Sequence, residues 1–107
     1  MRTYEPLRRR GDFARVRSRG KRYSGPFLTC FVAAGRRRTR VGISVSAAVA
    51  GAVLRNRLRR RIKAILDGRN LGAASPRDIV FVARPGAAGL RFGALLDQVE
   101  RTFGRAE

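Results

Sequence analysis

Histidine and tryptophan are absent from this 107-residue chain, cysteine occurs once, and 7 acids face 25 Lys plus Arg. Without histidine, and with one cysteine, neither a Ser/His/Asp nor a Cys/His catalytic arrangement can be assembled. A metal-dependent nuclease needs clustered carboxylates, but Glu5, Asp12, Asp67, Asp78, Asp97, Glu100 and Glu107 are scattered along the sequence. Of these, Asp12, Asp67 and Asp78 read as helix-end or strand-end residues. A phosphate loop is missing too: Gly20 and Lys21 are followed by Arg22, and Arg15 stands where the motif needs glycine. The expectation is a polypeptide with no catalytic group and no metal site of its own. Cys30 cannot form an internal disulfide; flanked at alternate positions by Leu28 and Val32, it reads as a small inward hydrophobe. No apolar run approaches a membrane span, since the longest, 79–83, is strand-sized. Arg2 and Arg8 to Arg10 open the chain without a following apolar stretch, so they do not read as a secretory signal, and a cytoplasmic address is expected.

What the sequence has in excess is positive charge, with a net of +18 at pH 7. Such a surface calls for a polyanion. Only Lys21 and Lys63 are lysines, and the other basic residues are arginine. A guanidinium fork matches phosphate and stacks on bases, which an ammonium cannot do, so nucleic acid is favoured over an anionic membrane. No amphipathic helix studded with large aromatics, as a membrane-surface binder needs, stands out.

The length suits one domain, residues 1–107, with one core. Residues 1–10 read as a mobile or loosely docked basic arm, with Pro6 discouraging helix. A short helix is expected over 12–19, ended by Gly20, with Phe13, Val16 and Arg17 on one side. Residues 27–34 alternate as a strand, and so do 39–46, and the two are expected to pair as an antiparallel hairpin. Gly42, Ser44 and Ser46 leave one face of the second strand low, either packed under a helix or open as a floor for a ligand. A helix follows over 52–67, with Leu54, Leu58, Ile62 and Ile65 as its buried stripe and Gly68 closing it. Residues 78–84 hold a continuous apolar run, Ile79 to Ala83, and read as a central strand. Phe92, Leu95, Leu96, Val99 and Phe103 share a face of a last helix. The order helix, hairpin, helix, strand, helix makes an α+β, two-layer α-β sandwich.

The helix over 52–67 differs from an ordinary solvated helix. Arg55, Arg57, Arg59, Arg60, Arg61 and Lys63 precede its first acid, Asp67. Arg55 with Arg59, Arg59 with Lys63, and Arg57 with Arg61 are like-charge i, i+4 pairs, each costing roughly 0.2–0.5 kcal/mol. That self-repulsion points to an external anion, and neutralising RNA phosphates releases counterions.

The run from Arg40 through Val41, Gly42, Ile43, Ser44 and Val45 to Ser46, followed by Ala52 to Arg60 with its Arg55-Asn56-Arg57 block, resembles the signature of the bacterial ribonuclease P protein. Arg10 to Gly20, with Phe13 and Val16, is similar to the family's first helix, and Asp78 to Pro85 to its last strand. The resemblance covers nearly the whole chain. It implies a mixed sheet with an unusual left-handed βαβ crossover, where the general rule gives the right-handed one. It implies a non-catalytic protein subunit that binds the ribonuclease P RNA, one protein per RNA, and the 5′ leader of precursor tRNA, with the RNA performing hydrolysis and binding Mg²⁺. By position, Arg55, Asn56, Arg57, Arg59, Arg60 and Lys63 face the ribozyme RNA. Phe13, Val16, Arg17 and Phe31 line the leader cleft between the first helix and the sheet. Spacing alone leaves Phe13 and Phe31 between core packing and stacking; the resemblance places them in the cleft. Val16 stands where the family often has an aromatic, and Ala47 and Ala48 where basic residues usually follow the strand. A structural, ribosomal-type RNA-binding protein with no part in cleavage is the alternative.

Overall fold

The apolar run from Ile79 to Ala83 needs cover on both faces, and only the middle of a sheet supplies it. In the computed structural model, which describes residues 3–71 and 75–106, that run sits in the central strand. Residues 1 and 2 of the expected arm, 72–74 of the expected loop, and Glu107 lie outside the described residues. In chain order the elements are β1 (Glu5–Pro6), α1 (Arg10–Arg19), β2 (Lys21–Ser24), β3 (Leu28–Ala34), β4 (Arg40–Ser44), α2 (Ala52–Asp67), β5 (Arg77–Ala83) and α3 (Phe92–Thr102). One mixed sheet has the order β1-β4-β5-β3-β2. Among the described residues no helix is long and apolar enough to cross a membrane.

The expected hairpin of 27–34 with 39–46 is corrected by this topology. β5 inserts between the two, antiparallel to β3 and parallel to β4. The physical reason is burial: β5 is apolar on both faces, whereas β4 carries Gly42 and Ser44 on one of them. Residues 35–39 then span two interstrand spacings, about 10 Å, within easy reach of an extended chain. The antiparallel hairpin exists one strand earlier, as β2 with β3, in the register Lys21↔Val32 to Ser24↔Thr29.

Of the two readings of the basic arm, docking holds for part of it. Residues 4–7 are docked, with Glu5 opposite Arg40 and Pro6 opposite Val41 in a parallel pair, and with Tyr4 and Leu7 buried. Pro6 is tolerated because β1 is an edge strand.

The larger core lies on one face of the sheet. Leu58, Ile62, Ile65 and Leu66 of α2, together with Leu95, Val99 and Phe103, pack there against Cys30, Val41, Ile79 and Phe81. Each fully buried side chain of this size contributes about 1.5–3 kcal/mol. Phe81 and Phe103 meet edge to face with centroids 6.0 Å apart. Cys30 is fully buried, and desolvation pushes its thiol up to about 12. Leu54, expected in the buried stripe, is 41% exposed. The first buried residue of α2 is Leu58, so the opening turns of the helix overhang the core. On α3 the buried stripe is Leu95, Gln98, Val99 and Thr102, which leaves Phe92 and Leu96 exposed on its flank.

Candidate nucleic-acid interface

Helix α1 lies across the other face of the sheet, over one row of register partners: Gly42, Val80 and Phe31. Its side chains follow that row. Phe13 sits above Gly42, where a Cβ would fall inside van der Waals contact of the ring. Val16, one turn on, packs with Leu7 and Val80 in a second, smaller core. The Arg17 guanidinium stands 5.9 Å from the centroid of the Phe31 ring, a cation–π contact. Phe13 and Phe31 are half-buried and Arg17 is exposed, so three of the four expected cleft residues share one partly open edge.

Val16 does not belong with them. It is wholly inaccessible, because position i+3 from Phe13 turns down onto Val80 in the centre of the sheet. Its assignment to the leader cleft is corrected to a core role.

Beside this row, on the same face, come Ser44, Val82 and Thr29. Ser44 and Val82 are only half-buried. The low face of β4 is thus covered in one part and open in another: Gly42 lies under Phe13 of α1, and Ser44 stays half-buried beside it.

On the opposite side of the row lies an ionic network that sequence reasoning missed. Asp78 is 1% exposed. Arg40 grips it with both nitrogens of its fork, Nε to Oδ1 at 2.9 Å and Nη2 to Oδ2 at 2.8 Å, and Arg15 of α1 donates to the same Oδ2. Arg40 also reaches Asp12 Oδ2 at 3.4 Å, and Arg15 lies 3.6 Å from Asp12 Oδ1. Burial pushes the Asp78 carboxyl up, but the hydrogen bonds and charges of Arg40 and Arg15 outweigh it and hold the group below its ordinary value. The bond to Asp78 correspondingly raises Arg40. These bonds fix α1 to the sheet and so set the position of Phe13 and Arg17. A signal existed in the sequence: an acid abutting an apolar strand in a chain this basic has to be answered by a partner.

The cations of α2 occupy the opposite face. Arg55 donates to the Ala50 carbonyl at 2.9 Å, Arg57 to Ala88 at 3.3 Å, and Arg61 to Leu90 at 3.2 Å. Arg59 bonds the Asn56 side-chain oxygen at 3.2 Å. Arg60 and Asn56 are exposed, and Lys63 is half-buried. Among the described residues no carboxylate pairs with any cation of this helix. Carbonyl acceptors orient a guanidinium without cancelling its charge, so the ridge stays cationic. The structure thus groups the expected residues other than Val16 into two surfaces, a ridge on α2 and a partly open edge beside α1, on opposite faces of one sheet. No three residues among His, Cys, Asp and Glu are grouped to hold a metal ion among the described residues.

The family model for ribonuclease P matches residues 1–107. The ribonuclease P protein component of Acidothermus cellulolyticus is 35% identical over 102 residues, covering 92% of this chain and 85% of that protein. That of Gluconacetobacter diazotrophicus is 35% identical over 104 residues, covering 94% and 89%. The solved RNase P protein of Staphylococcus aureus superposes with a TM-score of 0.86 at 23% identity, over 95% of this chain and 94% of the other. The RNase P protein of Thermotoga maritima gives 0.76 at 24% identity, over 89% and 91%. At those identities the solved structures speak to the fold.

Proposed function

The chain belongs to the ribonuclease P family as a protein subunit of that tRNA-processing ribonucleoprotein, and from this premise we propose that it acts by gripping RNA while the RNA subunit performs hydrolysis. The observation that carries this reading is the α2 ridge, whose cations have no carboxylate partner among the described residues. Arg55, Asn56, Arg57, Arg59, Arg60 and Lys63 contact the ribonuclease P RNA, each neutralised phosphate releasing counterions. The overhang of α2 carries Arg55 to Arg57 clear of the core, where an RNA helix can approach.

The 5′ leader of precursor tRNA lies along the cleft beside α1. Phe13 and Phe31 offer faces on which unpaired bases stack, Arg17 meets a phosphate, and Ser44 with Val82 makes a floor low enough for a single strand. One protein serves one RNA, in the cytoplasm. Mg²⁺ belongs with the RNA: Asp12 and Asp78, the carboxylates nearest the cleft, already accept from Arg15 and Arg40 and are poor donors for a cation. The alternative of a ribosomal-type structural protein is not favoured by the relatives described above, which are ribonuclease P protein components.

The test is reconstitution. Added to a ribonuclease P RNA at low Mg²⁺, the protein stimulates removal of the 5′ leader from precursor tRNA, and protein alone cleaves nothing. No stimulation would return the chain to a purely structural role.

A further inference from the structure

Resting on the RNA-binding reading above, we propose that Phe92, at the start of α3, is a stacking platform for one unpaired base of the ribonuclease P RNA, with Arg57, Arg61 and Arg91 holding the phosphates around it. The ring is conspicuous by its exposure. Phe92 is 45% exposed, and every other aromatic side chain of the protein is half-buried or buried.

Three bonds place the ring beside the ridge. Arg57 donates to Ala88 in the 3-10 turn Ala87–Gly89, Arg61 donates to Leu90, and Arg69, just past the end of α2, pairs with Glu100. The partners advance along the chain in the same order as the arginines, so α2 and α3 run side by side in the same sense. Ile65 and Leu66 of α2 share one core with Leu95 and Val99 of α3 beneath them. On α3, Phe92, Leu96 and Glu100 form a row at i, i+4 and i+8, and this row borders the arginine edge of α2. Phe92 follows Leu90 by two residues, at most about 7 Å of chain. The ring and the Arg61 guanidinium are therefore neighbours.

No free carboxylate intervenes among the described residues. The first turn of α3 carries no acid, Asp97 is paired with Arg101, and Glu100 with Arg69. Arg91 is exposed and has no side-chain partner among the described residues. A lone exposed phenylalanine is ordinary on a protein surface. This one sits among three guanidinium groups on the flank of a cationic ridge. A second copy of a chain carrying +18 would be repelled from such a face. A nucleotide matches it: the base is flat and apolar, and the phosphates on either side are anionic. Any base has a face to stack, and the arginine forks suit phosphate oxygens. Because α3 lies on the same side of the sheet as α2 and opposite α1, the RNA concerned is the ribozyme RNA and not the leader.

The experiment measures affinity for the ribonuclease P RNA against ionic strength for wild type, Phe92→Tyr, Phe92→Leu, Phe92→Ala and Arg57→Ala, and follows the association state of the free protein by sedimentation. Stacking predicts that Phe92→Ala and Phe92→Leu each weaken binding by about 5- to 150-fold. Phe92→Tyr, which keeps the ring, should bind as wild type. All three should keep the wild-type salt slope, since none removes a charge, whereas Arg57→Ala lowers it by about 0.7–0.9. Tyrosine and leucine both preserve bulk at the start of α3, so their comparison reads stacking even if Phe92→Ala loosens the helix. Wild-type affinity in Phe92→Leu would overturn the platform, because leucine supplies apolar area without a ring face. Self-association of the wild type that Phe92→Ala abolishes would assign the face to a second copy and overturn it as well. If every Phe92 variant binds as wild type while Arg57→Ala still loses slope, the platform is refuted and the proposed function stands. If Arg57→Ala changes nothing either, the proposed function fails and this inference with it.

Discussion

Phe13 and Val16 are one helical turn apart on α1, yet the sheet beneath gives them different fates. Phe13 lands over Gly42, whose missing side chain leaves the ring a half-open seat, while Val16 lands over Val80 and is sealed in. Their spacing on a helix was legible in the sequence, but which of them faced water was not. That depended on the register of β4 and β5 below, which no local pattern encodes. Gly42 consequently sets the seat of Phe13 although it offers no functional group. Gly42→Ala should lift the Phe13 ring, destabilise the fold by roughly 1–3 kcal/mol as overpacking does, and weaken binding of leader-bearing substrate with Phe13 itself intact. Urea unfolding and a comparison of precursor with mature tRNA affinity check the two parts separately.

Among the elements, α2 was the most readable. Its span Ala52–Asp67 and its cap at Gly68 match expectation because apolar residues at i, i+4, i+7 and i+8 leave one possible buried face. Only Leu54 escaped that face, since the first turns overhang. The strands were less readable. β2, with Lys21, Arg22, Tyr23 and Ser24, has little apolar alternation and forms because the edge of β3 needs a partner. Adjacency in sequence suggests that β3 pairs with β4, but adjacency in the sheet follows burial, and the doubly apolar β5 lies between them.

For α2, replacing Arg57 by Ala should flatten the salt slope of RNA binding by about one unit, which titration of affinity against ionic strength measures. For α1, the network around Asp78 is the anchor. Asp78→Asn leaves Arg15 and Arg40 without their shared charge and should cost on the order of 3 kcal/mol. The pH dependence has a definite sign. Because the folded carboxyl is held below its ordinary value, its contribution is fully present above about pH 3.9, the unfolded value, and is lost as pH falls through the folded one. Denaturant unfolding between pH 7 and pH 2 should show that loss in the wild type and not in Asp78→Asn.

At the scale of the whole molecule, a net charge of +18 is distributed over opposite faces and ends of one sheet. The ridge of α2 faces one way and the open edge beside α1 the other, with the central strand β5 between them. Composition alone announced a nucleic-acid partner and excluded the familiar catalytic sets. That two separate surfaces existed was legible only through the resemblance, because the division follows from where β5 inserts. A protein so built can hold one RNA on one face and present another RNA strand on the opposite face.

The most direct test of that claim is the affinity of the ribonuclease P RNA–protein complex for precursor tRNA against mature tRNA, with wild-type protein and with Phe13→Ala. The account predicts that wild type favours the leader-bearing form and that Phe13→Ala loses about 1–3 kcal/mol of that preference per unstacked base while binding mature tRNA unchanged. Equal affinity of the wild-type complex for both tRNAs would contradict it.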